Sequence, residues 1–470
     1  MALWNAWFAA ITLLRPAFAR QATFMWFVLS VAGLSIRSDN LGVTSTVRAL
    51  RLDRHRAYAS LLRNFHSHGI DLTLLGTLWS KVIWRLFADR LERVNGRAVV
   101  IADGKNIAKS GKKMPGVKSL FQHSESNTKP AFIMGHCAQA LSVLVKAGRS
   151  TLAVPLGVQI HDGTVFSNRD KRTLLDKLLI MIKGLGLPDP VYLVADAYYG
   201  NGKIINGMLA TGSHLVSRAK RNVVAYEQPS APADGKRGRG RPRIYGSKVE
   251  LQSLFVERTA FSAITSPIYG EQNVTMQVRT VELLWKPAGR LVRFVLAEHP
   301  QRGRIMLMSS DLALEPVEII RLYALRFKIE FGFKQAAHVV GSFDYHFWMA
   351  EMIPTRRAQK NTYLHRATEE YREAVRRKLH AFHVYLFAGV VAQGLMHYLA
   401  ASHTDAVWRA NSAWLRTLRK GIAPSELVVK LALRQALPEF LLGGNEKGSL
   451  AKFIVDRQAP DMPDDRAIAA

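Results

Sequence analysis

The spacing of hydrophobic residues changes along the chain and divides it into regions of different structure. Residues 1 to about 95 carry apolar positions at helical spacing, which predicts a helical region. From residue 97 onwards, short apolar runs alternate with amphipathic segments, which predicts elements in the order β-β-β-α-β-α-β. Beyond residue 348 the pattern is helical again, to about residue 455.

The middle region contains two short, wholly apolar runs, at residues 98–102 and 191–195, which predict buried strands. Other predicted elements follow from alternation or helical spacing. They are strands at 133–145, 152–160 and 214–217, and helices at 169–185 and 202–209. This order of elements predicts an α/β fold.

Residues 222–299 follow a different pattern from the core around them. They begin with a stretch rich in Pro, Gly and Arg and continue with alternating strands at 274–284 and 291–297. We therefore predict a β-rich insertion. A strand at 305–309 returns to the main sheet, and a long helix is predicted from Pro316, because proline is favoured at the first helical position.

Two short helical patterns, at residues 44–50 and 53–65, are separated by a tight break. They predict a helix-turn-helix whose second helix could enter the major groove of DNA. That helix would present Arg54, Arg56, Tyr58 and Arg63. An ordinary helical hairpin with a solvated basic face is the alternative.

Charge and cysteine content narrow the function. Lys and Arg number 65 against 36 Asp and Glu, a formal charge of +29, and nucleic acid is the commonest partner for such an excess. A basic protein whose charge only keeps it soluble is the alternative. Cys137 is the single cysteine, which excludes an internal disulfide and a Cys-based zinc site and fits a reducing cytoplasm.

The stretch 379–404 contains no Lys, Arg, Asp or Glu but four histidines and Gln393. It predicts a buried helix of a large soluble protein, so we expect no membrane association. The predicted organisation has five regions. They are a helical DNA-binding region at 1–95, the core at 96–221 and 301–350, the β-rich insertion with its basic linker at 222–300, and a C-terminal helical region at 351–470.

Asp103 and Asp196 share one context, since each follows a short apolar strand. Strand ends in an α/β sheet open onto the crevice where ligands bind, so we expect the two carboxylates to lie close together. Close carboxylates repel, and a divalent cation such as Mg²⁺ relieves the repulsion. A basic protein with such a pair predicts a metal-dependent enzyme acting on phosphodiesters. The alternative is that each Asp only caps the following turn.

A third acid lies in the segment 323–334 (YALRFKIEFGFK). At 100° per residue, one narrow helix face carries Tyr323, Arg326, Glu330 and Lys334. An ordinary ion-pair ladder on a helix surface would show the same pattern.

The segments AVVIADGKNI, VYLVADAYYG and LYALRFKIEFGFK together resemble the three catalytic blocks of DDE transposases from bacterial insertion sequences. The resemblance is to the branch with a β-rich insertion between the second Asp and the Glu, and it spans about residues 97–348. It implies an RNase-H-like mixed sheet flanked by N- and C-terminal helical regions. It also implies that Asp103, Asp196 and Glu330 are the catalytic residues and the ligands of Mg²⁺ or Mn²⁺.

The family's Tyr-x-x-Arg-x-x-x-Glu pattern corresponds to Tyr323, Arg326 and Glu330. The family's Lys follows the Glu by seven residues, where this sequence has Ala337, and Lys334 could take over its phosphate contact. Similarity to the family further implies double-stranded DNA, as transposon ends and as target, and a homodimer that processes two ends together at the nucleoid. A related nuclease or resolvase, and a domesticated DNA-binding protein without activity, are the alternative functions.

Two basic stretches are further candidates for DNA contact. Lysines follow Asp103 closely, at Lys105, Lys109, Lys112, Lys113 and Lys118, although a solvated lysine loop would look the same. The run 237–243 (RGRGRPR) resembles an AT-hook, whose Arg239 and Arg241 could enter a narrow minor groove. A flexible basic linker is the alternative for this run.

Overall fold

The computed structural model describes residues 1–39, 41–122, 130–229, 243–268, 270–411, 422–443 and 449–459, and the fold is mixed α/β. The helices are α1 Ala2–Thr12, α2 Gln21–Ile36, α3 Val43–Ala49, α4 Arg54–Phe65, α5 Leu72–Leu86, α6 Leu174–Leu185, α7 Gly202–Leu209, α8 Pro316–Leu325, α9 Lys328–Gln335, α10 Glu369–Ser402, α11 Thr404–Ala410, α12 Glu426–Leu442 and α13 Leu450–Val455. The strands are β1 Arg93–Val94, β2 Arg97–Ala108, β3 Lys118–Phe121, β4 Phe132–Ala147, β5 Ser150–Ile160, β6 Thr164–Val165, β7 Val191–Ala195, β8 His214–Arg218, β9 Val224–Tyr226, β10 Lys248–Glu250, β11 Ser262–Thr265, β12 Thr275–Trp285, β13 Arg290–His299, β14 Gly303–Ser309 and β15 Thr362–Tyr363.

Thirteen of the strands found in the described residues form one mixed sheet. At its centre the strands lie in the order β5-β4-β2-β7-β8, with β2 antiparallel to β4 and parallel to β7. Along the sequence, helices α1 to α5 precede the strands and helices α10 to α13 follow them. The predicted mixed α/β sheet with helical flanks, as in an RNase-H-like fold, is confirmed.

Strand β2 is longer than predicted. The apolar run indicated that the strand ends at Ala102, but it continues to Ala108. The reason is that β4 is long enough to pair with β2 as far as Ala108 opposite Gly135, whereas β7 ends at Ala195 opposite Ala102. Asp103 therefore lies within a strand, at the point where its parallel neighbour stops.

The β-rich insertion continues the central sheet. Its long strands β12 and β13 pair over nearly their whole lengths, β13 pairs with β14, and β14 pairs with β8. The strands predicted at 274–284, 291–297 and 305–309 are confirmed with small changes in their ends. The insertion thereby extends the core on the side of β8.

Three helix predictions need correction. Helix α6 begins at Leu174 and not at residue 169, because Thr173 and Asp176 form a reciprocal capping box there. The long helix predicted from Pro316 is divided into α8 and α9, and hydrogen bonds of the i to i−3 type tighten the turn at Arg326 and Phe327. Residues 346–368 are not helical and include β15, which pairs with β6.

The predicted pair of N-terminal helices is present as α3 and α4. Asp53 caps α4 by accepting a hydrogen bond from the backbone N–H of Arg56, and Arg51 in the connection has a φ of 53°. Helix α4 packs against α2 and α10, and its buried residues include Ala57 and Leu61. The predicted basic face, with Arg54, Arg56, Tyr58 and Arg63, is exposed.

Helix α10 is the long core helix of the C-terminal region. By length and composition it could cross a bilayer, yet 94% of its most apolar window is buried inside the protein. It packs against β5, α2 and α12. The predicted buried helix at 379–404 is thus confirmed, and the expectation of no membrane association stays a prediction.

Candidate active site

The three acids chosen from the sequence come from three elements that meet above the middle of the sheet. Asp103 lies on β2, Asp196 directly follows the parallel neighbour β7, and Glu330 lies on α9, which contacts β2. Burial raises the pKa of Asp103 to about 6, and the negative charges of Asp196 and Glu330 add to that rise. Asp196 and Glu330 therefore both lie close enough to Asp103 for their charges to act on it.

Arg326 lies between two of these acids. Its Nη1 donates to Oδ2 of Asp103 at 3.0 Å, and its Nη2 donates to Oε1 of Glu330 at 2.7 Å. The side chains of Asp103 and Arg326 are largely buried, at 17% and 18% exposure, whereas Glu330 is 55% exposed. One guanidinium thus compensates the charges of both carboxylates, one through Nη1 and the other through Nη2.

The arrangement bears directly on metal binding. Within the described part of the chain, no group of three or more His, Cys, Asp or Glu side chains is arranged to hold a metal ion. In this arrangement Arg326 forms ion pairs with both Asp103 and Glu330. Carboxylate oxygens are the donors that Mg²⁺ and Mn²⁺ prefer, so the chemistry of the three acids fits such a cation.

Asp196 is fixed by the turn that follows β7. Its Oδ1 accepts the backbone N–H of Tyr198 at 2.9 Å, and its carbonyl oxygen accepts the hydroxyl of Ser217 at 2.7 Å. The turn-capping role that was the alternative for this residue is therefore present. One oxygen of the carboxylate is engaged in this way, and its charge still acts on Asp103.

Sequence reasoning missed three side chains beside the acids. Tyr199 lies near Asp103 and Asp196, whose charges add to the effect of burial in raising its pKa, and Gln139 donates to its hydroxyl at 3.1 Å. Arg218 lies near Tyr323. Tyr199 and Arg218 each lie at or just beyond the end of a predicted strand, and this position in the sequence could have identified them as candidates. Gln139 became recognisable only through the pairing of β4 with β2.

The predicted DNA-contacting lysines divide into two groups. Lys105 lies on β2 near the ring of Phe333, and Lys112 and Lys334 are exposed. Lys113 donates to the carbonyl oxygen of Ala350 at the surface. Contact of these four lysines with DNA stays a prediction.

Lys109 was wrongly placed among the DNA contacts. It is 6% exposed, and its ammonium donates to the backbone carbonyl oxygens of Phe343 and Tyr345. Because β2 is extended, the residue that was expected in a loop instead points into the fold. Lys118, also part of that lysine run, is likewise occupied by an ion pair with Asp162.

A cleft of about 500 Å³ lies between the insertion and α8 and is lined in part by Arg326, the partner of Asp103 and Glu330. Its lining also includes Tyr323 and Arg218, together with Arg302 and Arg304 from the turn before β14 and the start of that strand. It thus combines basic and aromatic side chains beside the arginine that pairs with two of the acids. The predicted AT-hook residues Arg239 and Arg241 lie outside the described residues.

Comparison with known proteins identifies the family. The profile of a family described as DDE superfamily endonuclease matches residues 13–281, more than half of the chain, including Asp103 and Asp196 and ending before Glu330. A search of curated proteins finds no match to this chain. The chain belongs to the DDE superfamily of endonucleases.

Proposed function

We propose that this endonuclease is a DNA transposase, which cleaves DNA at transposon ends and joins the freed ends to target DNA. Membership in the DDE superfamily implies DNA as the substrate and, in general, dependence on a divalent metal. The observation that carries the proposal is that Asp196 and Glu330, far from Asp103 in sequence, both lie close enough for their charges to act on it, while Arg326 pairs with Asp103 and Glu330. The resemblance of their three segments to transposase blocks supports strand transfer over simple cleavage.

Asp103, Asp196 and Glu330 would hold Mg²⁺ or Mn²⁺ in this proposal. A bound cation supplies Lewis acidity toward the phosphodiester and lowers the pKa of a water molecule. Arg326 holds Asp103 and Glu330 in place in the free protein and turns to a DNA phosphate when DNA binds. A guanidinium suits both partners, because it pairs with carboxylates and phosphates alike.

DNA contacts are proposed on the surfaces nearest the acids. Tyr323, Arg326 and Lys334 would contact the strand that is cut, and Lys105, Lys112 and Lys113 the neighbouring duplex. The exposed basic face of α4 would recognise the transposon end as the second helix of a helix-turn-helix. We further propose that the protein acts as a homodimer, because two ends must be processed together. Its proposed location is the cytoplasm, at the nucleoid.

The test is a cleavage assay on DNA that carries the inverted repeats flanking the gene. We expect wild-type protein to nick this DNA at the repeat boundary with Mg²⁺ or Mn²⁺ and not with a chelator. Glu330→Gln should lower the cleavage rate by about 10³-fold or more, since a metal ligand and its charge are lost. Its DNA affinity, measured over a range of salt concentrations, should remain within a few-fold of wild type.

Glu315→Gln provides the matched control, since Glu315 is an exposed acid at the start of α8. It should cleave like wild type. Equal cleavage by Glu330→Gln and wild type would remove Glu330 from the site. Cleavage of branched DNA without any preference for the repeats would favour a resolvase, and DNA binding without cleavage would favour a domesticated binding protein.

A further inference from the structure

Three buried cations surround the segment 339–345, which contains the last two residues of the helix that carries Glu330 and the five residues after it. We call this helix, meaning α9 and the π-helical turn Ala336–Val340, the Glu330 helix. The cations are Arg37, Lys109 and Lys430, here called the three-cation cluster. Their side chains are at most 6% exposed, and none of them belongs to the candidate active site.

Arg37 makes the largest number of these contacts. Its side chain is completely buried, its Nε donates to the carbonyl oxygen of Val340 at 2.9 Å, and its Nη2 pairs with Asp344 at 2.9 Å. Its Nη1 donates to the hydroxyl of Ser45 at 2.8 Å. Arg37 follows α2 directly, so it connects the N-terminal helical region to the end of the Glu330 helix.

Lys430 and Lys109 approach the same segment from two other directions. Lys430, on α12 of the C-terminal region, donates to the carbonyl oxygen of Val339 at 2.6 Å. Lys109, just after β2, donates to the carbonyl oxygens of Phe343 and Tyr345, the latter at 2.9 Å. Lys109 therefore ties the segment to the strand that carries Asp103.

These contacts match the needs of a helix end. The last carbonyl groups of a helix have no partners within it, and cations near a C-terminus are stabilising. Burying charge is costly unless it is paired and hydrogen-bonded. Here several carbonyl oxygens and the carboxylate of Asp344 compensate the charges of the three cations. Because most of these partners belong to the segment 339–345, the cations are stable only when this segment lies where it does.

Backbone geometry at Gly341 indicates that the fit is tight. Gly341 has a φ of 72°, and a Cβ at this position would lie 1.2 Å from Nη2 of Arg37. Only glycine allows both the left-handed backbone and the close approach of the guanidinium. The end of the Glu330 helix and Arg37 thus determine each other's position.

A further contact to the Glu330 helix lies closer to Glu330 along the chain. Gln393 of α10 is 4% exposed, and its Nε2 donates to the carbonyl oxygen of Gly332 at 3.0 Å. The C-terminal region therefore contacts this helix at Gly332 as well as at Val339.

We propose that the three-cation cluster positions Glu330 relative to Asp103, so that both flanking helical regions contribute to the geometry of the active site. Arg37, Lys109 and Lys430 are positioning residues and touch no substrate. The inference rests on the proposed function, because it assigns their effect to the cleavage step. It predicts that loss of one cation slows turnover while DNA binding persists.

The test compares Arg37→Met with Arg279→Met. Arg279 is also largely buried and also pairs with a backbone carbonyl oxygen, that of Leu254, and with a carboxylate, that of Glu257, but it lies in the insertion. For each folded variant we would measure kcat and KM for end cleavage and hydrogen–deuterium exchange of residues 328–345. Arg37→Met should lower kcat by about 10²-fold, the effect expected of a misplacement near 1 Å, leave KM within about twofold, and speed exchange in 328–345.

Arg279→Met should change neither kcat nor exchange in 328–345, and Arg37→Lys, which keeps a cation, should recover part of kcat. If Arg37→Met does not fold, Lys430→Met replaces it, since it removes only the contact with Val339. Unchanged exchange, or unchanged kcat in a folded variant, would overturn the positioning role. Absence of cleavage by wild-type protein would instead overturn the proposed function, and the exchange data would still decide whether the cluster holds the helix.

Discussion

The two ends of the helical segment that carries Glu330 are both held by arginine, but in different surroundings. At the N-terminal end, Arg326 bridges Asp103 and Glu330 at the edge of a cleft, and Glu330 is more than half exposed. At the C-terminal end, Arg37 is completely buried against Asp344 and backbone carbonyl oxygens. We propose that Arg326 exchanges its partners when DNA binds, whereas those of Arg37 are part of the fold.

This difference indicates how one residue type performs two tasks. A guanidinium at an open cleft can exchange carboxylates for a phosphate, because water and ligands reach it and compensate its charge at every stage. A buried guanidinium that loses one partner leaves an uncompensated charge, which costs about 3–5 kcal/mol. The end that opens onto the cleft is therefore suited to binding, and the completely buried end to holding position.

The largest effect is expected at the buried end. Gly341→Ala would place a methyl group 1.2 Å from Nη2 of Arg37 at a backbone φ of 72°. Because the guanidinium must move away from Val340 and Asp344, we expect the free energy of unfolding to fall by about 3–5 kcal/mol. Chemical denaturation measures this, and Gly270→Ala is the control, since Gly270 also has a positive φ but no neighbour within 4 Å. Equal losses in the two variants would show that backbone strain alone is responsible.

A smaller effect, an increase in metal affinity, is expected at the end that Arg326 holds. Arg326→Ala should raise the affinity of the free protein for Mn²⁺ by about tenfold, or about 1.4 kcal/mol, because the guanidinium no longer competes for Asp103 and Glu330. Titration of Mn²⁺ followed by electron paramagnetic resonance measures this. Arg172→Ala, which removes a surface arginine paired with Asp170, should bind Mn²⁺ like wild type. Affinity equal to or below that of wild type in Arg326→Ala would contradict the exchange of partners proposed for this end.

The smallest effect concerns Lys109 and depends on pH. Burial lowers the pKa of Lys109 to about 7, from an ordinary value of 10.5, although Asp344 opposes this. Between these values the unfolded chain holds a proton that the native lysine has released, so this residue makes the free energy of unfolding rise with pH above about 7. The rise is at most about 1.4 kcal/mol per pH unit.

Lys109→Met should lack this contribution. Denaturant titrations at pH 6.5, 7.5 and 8.5 would compare the slopes of the two proteins, with Lys112→Met as the control for loss of one exposed lysine. The same pH dependence in Lys109→Met and wild type would show that the ammonium is not held in a buried environment.

Periodicity in the sequence was sufficient for most elements of the fold. The apolar runs before Asp103 and Asp196 predicted the two central parallel strands, and the insertion was recognised by its alternation. Boundaries failed where a distant partner sets them. Strand β2 continues past Asp103 because β4 pairs with it, and residues 346–368 leave the helical pattern where β15 pairs with β6.

For the candidate site, the local sequence identified the acids but not the residues that they contact. The helix face that carries Arg326 and Glu330 was visible in the spacing, and their hydrogen bond follows from it. The contact of Arg326 with Asp103, and the turn of Lys109 toward Phe343, join residues more than two hundred positions apart. No local pattern carries such information.

The sequence by itself determined most of the secondary structure, the basic character and the acids, since these depend on local spacing and composition. The tertiary structure decided which cation meets which anion, because an arginine or lysine acquires its role from the burial and the partners that the whole chain gives it. Arg326 and Arg37 have the same side chain in the sequence. Only folding places one at an open cleft and the other in the core.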